Sequence, residues 1–135
     1  MSNLLITGAN GFIGRAVISK LALETNHLIR ASVRKKTIQF PRQIEVFENM
    51  EASSNTNWED ALRDIDVVIH LLARVHVMHD KVADPLLEFR NINVNATIAL
   101  AKKAAKQGPK CSCRYMYVQA CPEHSFVFVP CGCVL

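Results

Sequence analysis

Three glycines near the start of the chain have the types and spacing that phosphate binding requires. Gly8, Gly11 and Gly14 lie in the segment Thr7–Gly14, which reads Thr-Gly-Ala-Asn-Gly-Phe-Ile-Gly. The first glycine allows a sharp turn, the second lets the backbone approach a pyrophosphate, and the third lets a helix pack closely on a sheet. A helix that begins here offers free N–H groups and partial positive charge to an anion. The segment therefore predicts a dinucleotide phosphate site.

A basic residue occupies the position that normally binds the ribose of a dinucleotide. NAD sites usually place an acidic residue at the end of the second strand, about 20 residues beyond the glycines. This chain has Arg34 there, within the segment Ala31–Lys36, which contains no carboxylate. A guanidinium can pair with a 2′-phosphate and stack on adenine, so Arg34 favours NADP over NAD. The alternative is a solvated basic loop that leaves NAD acceptable.

The elements that must position these residues alternate between strands and helices. The apolar run Asn3–Thr7 predicts a buried strand that ends at the first glycine, and apolar residues at helical spacing follow it: Ile13, Val17, Ile18 and Leu21. Further strands are predicted over residues 27–33, 44–47 and 66–71, with a short helix over 58–62. This alternation predicts an α/β fold with a Rossmann-type parallel sheet, the first half of a doubly wound fold.

A second long helix is predicted from Asp84-Pro85, where an acidic N-cap precedes a proline at the first helical position. Its apolar stripe comprises Phe89, Ile92, Ala96, Ala99 and Leu100. Gly108-Pro109 ends the helix. Beyond this point the periodicity fails, although residues 115–118 and 125–129 could each form a strand.

Two further segments, together with the glycine motif, connect the chain to a family. Residues 66–76 read Asp-Val-Val-Ile-His-Leu-Leu-Ala-Arg-Val-His, and residues 93–97 read Asn-Val-Asn-Ala-Thr. Over residues 3 to 108 the chain resembles the N-terminal part of the extended short-chain dehydrogenase/reductase family, in its NAD(P)-dependent nucleotide-sugar epimerase and dehydratase branch. The resemblance implies NADP or NAD as cofactor and a nucleotide-sugar substrate.

The motifs and the resemblance together nominate a set of cofactor contacts. Asn93 is either the asparagine that organises the active site in the family or a polar residue on a helix surface. Asn49 must replace the usual aspartate near the adenine, and Leu72 is larger than the residue expected beside the cofactor. The predicted contacts are Thr7, Gly8, Asn10, Gly11, Phe12, Ile13, Gly14, Arg34, Asn49, Met50, Leu71, Leu72, Ala73 and Asn93.

The catalytic signature of that family has no counterpart in this chain. The resemblance implies a serine at the end of the fifth strand and a Tyr-x-x-x-Lys helix, but the residues four positions after Tyr115 and Tyr117 are Gln119 and Cys121. No catalytic residue is therefore predicted, and enzymatic activity of the chain alone stays open. The leading hypothesis is the cofactor-binding portion of an epimerase, dehydratase or reductase. The alternatives are a non-catalytic dinucleotide-binding module and a non-functional fragment.

Composition limits the partners and the domain count. The 135 residues suit one domain, and a net charge of +4 without a long basic block does not favour nucleic acid. The short apolar start, Leu4-Leu5-Ile6, fits neither a signal peptide nor a membrane span, so a cytoplasmic protein is expected.

The tail differs in kind from the rest of the chain. All five cysteines lie beyond residue 110, which predicts a division into a dinucleotide-binding half-domain, 1–108, and an atypical tail, 109–135. Truncation or a frame shift in a longer parent is one hypothesis for this tail, and selection for another function is the alternative. No metal site is predicted, since structural zinc sites prefer two or more residues between paired cysteines. An incomplete sheet would leave the strand over residues 66–71 with an exposed edge, which predicts an association-prone protein that could form oligomers.

Overall fold

A computed structural model describes most of the chain, namely residues 2–24, 26–48, 50–74, 83–106, 115–118 and 127–130. The strands are β1 (Asn3–Thr7), β2 (Leu28–Ser32), β3 (Ile44–Phe47), β4 (Val67–His70), β5 (Tyr115–Val118) and β6 (Val127–Pro130). The helices are α1 (Phe12–Glu24), α2 (Glu59–Leu62), α3 (Pro85–Arg90) and α4 (Ala96–Lys106), and a π-helical turn (Asn91–Asn95) joins α3 to α4.

The strands form one sheet in the order β3-β2-β1-β4-β5-β6. β1 pairs in parallel with both β2 and β4, and β2 pairs in parallel with β3. This arrangement confirms the predicted α/β class with a parallel sheet. In the described part of the chain no helix is long and apolar enough to cross a membrane. Cytoplasmic localisation and the division at residue 108 stay predictions.

The predicted exposed edge on β4 is wrong. β5 pairs with β4 in parallel, from Val67 opposite Tyr115 to His70 opposite Val118, and β6 adds an antiparallel strand outside it. The backbone of β5 therefore forms hydrogen bonds along the edge of β4 that was predicted to be exposed. Within β4, Val68 and His70 are buried. Association between chains was predicted from the exposed edge of β4, and this reason for it no longer holds.

The sheet buries apolar side chains on both faces, as a doubly wound fold requires. Successive strand residues point to opposite faces, so Leu5 and Val68 pack with Trp58, Leu62 and Leu100 on one side. Neighbouring strand residues pack on the other side with α1, in a cluster of Leu4, Ile6, Ala9, Ile18, Ile29, Ala31, Val33 and Ile44.

The helix that begins at Asp84-Pro85 is present, with a departure in its middle. The Asp84 side chain accepts a hydrogen bond from the Leu87 amide at 3.0 Å, as an N-cap should. A π-helical turn closes i→i+5 bonds, so Asn91–Asn95 rotates the residues before it relative to α4. Ala96 and Leu100 are buried, whereas Phe89 is 40% exposed. The predicted continuous stripe is therefore wrong at its N-terminal end.

Gly14 fixes how closely α1 lies against the turn that follows β1. A Cβ atom on Gly14 would stand 2.3 Å from the Gly8 carbonyl oxygen and 2.8 Å from the Ala9 Cα. Both neighbours are backbone atoms, which cannot move aside as a flexible side chain can. A Cβ on Gly11 would meet the Gly8 oxygen at 3.1 Å, a milder approach.

We expect Gly14→Ala to lower the free energy of unfolding by about 2 kcal/mol or more, because the new methyl group overpacks this contact. Alanine has the higher helix propensity by up to about 1 kcal/mol, so propensity alone would make Gly14→Ala stabilising. The expected loss of stability must therefore come from packing. Urea denaturation measures the change, and Gly11→Ala is the matched control, with a loss below about 1 kcal/mol. Equal losses in the two variants would contradict the packing argument.

His70 joins three elements through its two ring nitrogens. Nδ1 lies 2.7 Å from the Thr7 hydroxyl on β1, and Nε2 lies 3.0 Å from the Thr97 hydroxyl on α4. A neutral imidazole has one donor and one acceptor nitrogen, and a hydroxyl can serve either. Burial lowers the pKa of His70 from 6.5 to about 4, so His70 is a neutral histidine of the core at neutral pH.

The depressed pKa of His70 makes stability depend on pH in a defined window. Between pH 6.5 and 4 the unfolded chain binds a proton that the folded chain excludes, so stability is present above this window and is lost as pH falls. We expect a loss of about 3 kcal/mol between pH 7 and pH 4 from this group. The difference in unfolding free energy between wild type and His70→Gln should shrink by that amount, and a pH-independent difference would contradict it.

Candidate functional site

A cleft of about 780 Å³ opens at the carboxyl ends of β1, β2 and β4. The chain runs outward from β1 to β2 and β3, then returns to the other side of β1 as β4. This is a topological switch point, where open α/β sheets place their ligands. The volume lies in the range of small-molecule and cofactor sites, about 300–1,000 Å³.

The glycine loop forms the floor of the cleft. Gly8 adopts φ +65°, the left-handed region that favours glycine. A Cβ there would lie 2.9 Å from both the Leu71 carbonyl carbon and the Leu72 amide nitrogen. The Gly11 amide donates to the Gly8 carbonyl at 3.0 Å, which closes the turn. The absence of side chains at Gly8 and Gly11 therefore leaves bare backbone facing the cleft.

The start of α1 supplies hydrogen-bond donors beside that backbone. The Arg15 amide donates to the Gly11 carbonyl at 3.0 Å. The amides before it belong to the first turn, where helical geometry provides no intrahelical acceptor. The Phe12 side chain is 87% exposed and lies outside the cleft lining, so the main chain is what this residue can offer an anion.

Asn10 ties the glycine loop to the loop after β2. Its Nδ2 donates to the Lys35 carbonyl at 3.0 Å and to the Thr37 hydroxyl at 3.2 Å. Arg34 precedes this anchored segment and lines the cleft with Lys35 and Thr37. The position of the basic loop is therefore coupled to the glycine turn, a role for Asn10 that the sequence did not reveal.

Ser32 is a cleft residue that sequence reasoning missed. It ends β2, its side chain is fully buried, and within the described residues its Oγ has no hydrogen-bond partner. Leaving a buried polar group unpaired costs about 1–3 kcal/mol. A ligand with a hydroxyl or other polar group at this point would remove that penalty. Its place at the end of a parallel strand, two residues before Arg34, was the signal available in the sequence.

Asn93 holds the backbone beyond β4 in place. Its Oδ1 accepts from the Arg74 amide at 2.7 Å, and its Nδ2 donates to the Arg74 carbonyl at 2.9 Å. Asn93 is buried, so the alternative of a polar residue on the helix surface is wrong. Asn93 does not line the cleft, whereas Arg74 does. Asn93 is a positioning residue for the β4 end of the site.

One face of the helix containing the π-helical turn also lines the cleft. Its lining residues recur at i, i+3, i+4 and i+7, the spacing of a single helix face, and they are Glu88, Asn91, Ile92 and Asn95. Asn95 Nδ2 donates to Asn91 Oδ1 at 3.0 Å. The sequence did not predict these residues, because the pattern of apolar residues in a helix does not indicate which helix face lines a cleft formed by distant parts of the chain.

The structure gathers most of the predicted contacts around the cleft. Those that line it are Gly8, Asn10, Gly11, Arg34, Met50, Leu71, Leu72 and Ala73. Thr7 is buried and bonded to His70, while Gly14 packs α1 on the turn. The Ile13 side chain, like that of Phe12, is exposed and lies outside the lining. Asn49 lies outside the described residues.

A metal site would need a cluster of His, Cys, Asp or Glu side chains. In the part of the chain that the structure describes, no three such side chains lie together. The cysteines and His124 of the tail lie outside the described residues. The expectation of no metal site therefore stays a prediction.

Comparisons with known proteins agree with the fold. The UDP-glucose 4-epimerase of Vibrio cholerae is 32% identical over 118 residues, which cover 87% of this chain and 34% of that protein. A mutated uronate dehydrogenase is 25% identical with a TM-score of 0.62, over 79% of this chain and 36% of the other. The chain thus spans about a third of the length of these relatives.

A further solved structure shares the fold at lower identity. The UDP-glucuronic acid 4-epimerase of Bacillus cereus, solved in complex with NAD, gives a TM-score of 0.67 at 18% identity, over 84% of this chain and 38% of that one. The NAD dependent epimerase/dehydratase family matches residues 4–124. This match covers most of the sequence, including the glycine turn and the helix after β4, so the chain belongs to the NAD-dependent epimerase/dehydratase family.

Proposed function

We propose that this chain is the cofactor-binding portion of an NAD(P)-dependent nucleotide-sugar epimerase, dehydratase or reductase. The observation that carries the proposal is the bare backbone of Gly8 and Gly11 at the floor of a cleft of about 780 Å³, next to the first turn of α1. Backbone donors and a helix N-terminus together suit a pyrophosphate.

The residues around the cleft fit a dinucleotide on both sides of that turn. Ser32 ends β2 and Arg34 follows it on one side, and a bound ribose or phosphate would satisfy the unpaired Ser32 hydroxyl. Ala73 and Arg74 follow β4 on the other side, where Asn93 fixes the backbone. When bound, the nicotinamide supplies hydride transfer. Leu72 also lines this side of the cleft, and its backbone lies against Gly8.

The substrate class is proposed from the relatives and from the β4 side of the cleft. The names of the relatives include epimerases that act on UDP-glucose and UDP-glucuronic acid. In this chain Glu88, Asn91, Asn95 and Arg74 all line the cleft. Amide, carboxylate and guanidinium groups can together hydrogen-bond sugar hydroxyls and a carboxylate or phosphate, which fits a nucleotide sugar.

A non-catalytic dinucleotide-binding module is the second candidate, and one observation favours it. The sequence contains no Tyr-x-x-x-Lys, because Gln119 and Cys121 stand four residues after the two tyrosines. A tyrosine whose pKa is lowered by a nearby lysine would supply the general acid/base. Without it, the chain can bind a dinucleotide but lacks this proton-transfer group.

The first test is cofactor binding by the purified chain. We expect NAD⁺ or NADP⁺ to bind with one site per chain in isothermal titration calorimetry, and Gly11→Val to abolish binding, because its side chain would project from the cleft floor. Leu23→Ala is the control, since Leu23 is 85% exposed near the far end of α1. Failure of the unaltered chain to bind either dinucleotide would refute the proposed function.

The second test is turnover. We expect the chain alone, supplied with either dinucleotide, to leave UDP-glucose and UDP-glucuronic acid unchanged, because its sequence contains no Tyr-x-x-x-Lys. Chromatography of the nucleotide sugars after prolonged incubation measures this. Cofactor-dependent epimerisation by the pure chain would show that another group transfers the proton, and it would eliminate the binding-module candidate.

A further inference from the structure

Asn10 and Gly11 form the one Asn-Gly pair in the sequence. The other asparagines are each followed by a residue that carries a side chain, and they are Asn3, Asn26, Asn49, Asn55, Asn57, Asn91, Asn93 and Asn95. An asparagine loses its side-chain amide when the main-chain nitrogen of the next residue attacks its Cγ atom. Glycine favours this attack, because it has no Cβ atom and adopts backbone conformations that other residues avoid. The most reactive asparagine of the chain therefore lies in the glycine loop.

The fold slows this attack without preventing it. The Gly11 amide donates to the Gly8 carbonyl at 3.0 Å, and Asn10 Nδ2 donates to the Lys35 carbonyl and the Thr37 hydroxyl. These bonds must open before the Gly11 nitrogen can reach the Asn10 side chain. The two bonds of Asn10 are exposed, and Gly11 is exposed as well. Each such bond contributes only about 0.5–1.5 kcal/mol, so the pair opens transiently in contact with water.

We propose that Asn10-Gly11 is a self-modification site, at which spontaneous deamidation of Asn10 disables the phosphate side of the cleft. The Gly11 nitrogen forms a bond to Asn10 Cγ, the bond from Cγ to Nδ2 breaks, and ammonia leaves with the proton of the Gly11 amide. Water then opens the cyclic imide at one of its two C–N bonds, which gives either aspartate or isoaspartate. Water is consumed, ammonia is released, and nothing is oxidised or reduced. The effect on cofactor binding rests on the proposed function, whereas the reaction itself does not.

The aspartate product removes the link that positions the loop after β2. A carboxylate only accepts hydrogen bonds, so the contact with the Lys35 carbonyl, 3.0 Å long in the amide form, becomes repulsive. The Thr37 hydroxyl keeps its bond only if it turns to donate. The new charge also lies next to Gly11 on the cleft floor, and it has the same sign as a pyrophosphate. Deamidation therefore weakens both the loop position and the anion site.

The isoaspartate product alters the main chain of the glycine loop. Its backbone continues through the former side-chain carbonyl, which inserts a methylene group before Gly11. The Gly11 amide bonds to the Gly8 carbonyl, and the Gly11 carbonyl accepts from the Arg15 amide, both at 3.0 Å. A longer connection displaces Gly11 from one or both of these partners. A ligand seated on the loop would instead hold the bonds closed, and it should protect Asn10.

The first experiment follows deamidation of the full chain at mildly alkaline pH by peptide mass spectrometry, with an isoaspartyl-specific methyltransferase to detect isoaspartate. We expect Asn10 to be converted before any other asparagine, and a bound dinucleotide to reduce the rate in proportion to the fraction of chains that carry it. Gly11→Ala should slow conversion because the added Cβ hinders the attack. Thr37→Val removes one bond to the amide and should accelerate it. Earlier conversion of another asparagine, or an unchanged rate in Gly11→Ala, would overturn the site.

The second experiment uses Asn10→Asp to measure the effect on the cleft. We expect about 10- to 100-fold weaker binding of the dinucleotide that the unaltered chain binds, as the loss of two hydrogen bonds of about 0.5–1.5 kcal/mol each implies. Hydrogen exchange at the amides of residues 34–37 should become faster. Asn26→Asp makes the same change before β2, outside the cleft lining, and should alter neither measurement.

The outcomes separate this inference from the proposed function. Unchanged binding and unchanged exchange in Asn10→Asp would overturn the effect of deamidation and leave the proposed function standing. If the unaltered chain bound neither dinucleotide, the proposed function would fail, while the conversion rates and the exchange at residues 34–37 would still decide for or against the modification.

Discussion

The contact between the turn after β1 and its two backbone neighbours is the constraint on which the site depends. Gly8 lies against the backbone at Leu71 and Leu72, and Gly14 lies against Gly8 and Ala9. No side chain larger than hydrogen fits either approach without a shift of backbone atoms. As a result, β1, β4 and α1 come close enough together for the bare loop to face the cleft.

Side-chain amides and one imidazole then connect the elements that this contact brings together. Asn10 joins the glycine loop to the loop after β2, Asn93 joins the helix to the backbone after β4, and His70 bonds to β1 and α4. Each is a polar group whose partners lie far away in the sequence. For the buried His70 and Asn93 the unpaired state would be costly, whereas the Asn10 bonds are exposed. Together these bonds specify the loop positions that the hydrophobic clusters leave undetermined.

The π-helical turn has an analogous effect on the opposite side of the cleft. Asn91–Asn95 changes the phase between α3 and α4, so that Ala96 and Leu100 pack inward while Glu88 and Asn91 face the cleft. A regular helix would have kept Phe89 on the buried stripe with Leu100. Irregular turns of this kind are frequent at functional sites, and here one lets a single helix serve both the core and the cleft.

The sequence by itself determined the α/β class, the strands up to His70 within a few residues, the N-cap at Asp84 and the glycine turn, since these depend on local periodicity and on conformations that few residue types adopt. It also placed Arg34 just beyond the end of β2, where the residue lines the cleft, because the distance from the glycines to the next strand end is set by one βα unit. Only the tertiary structure revealed the unpaired Ser32 hydroxyl, the two bonds from Asn93 to Arg74, the cleft-facing side of α3 and the pairing of β5 with β4. Those features arise from contacts between residues distant along the chain, and no local pattern encodes which distant backbone group a side chain will meet.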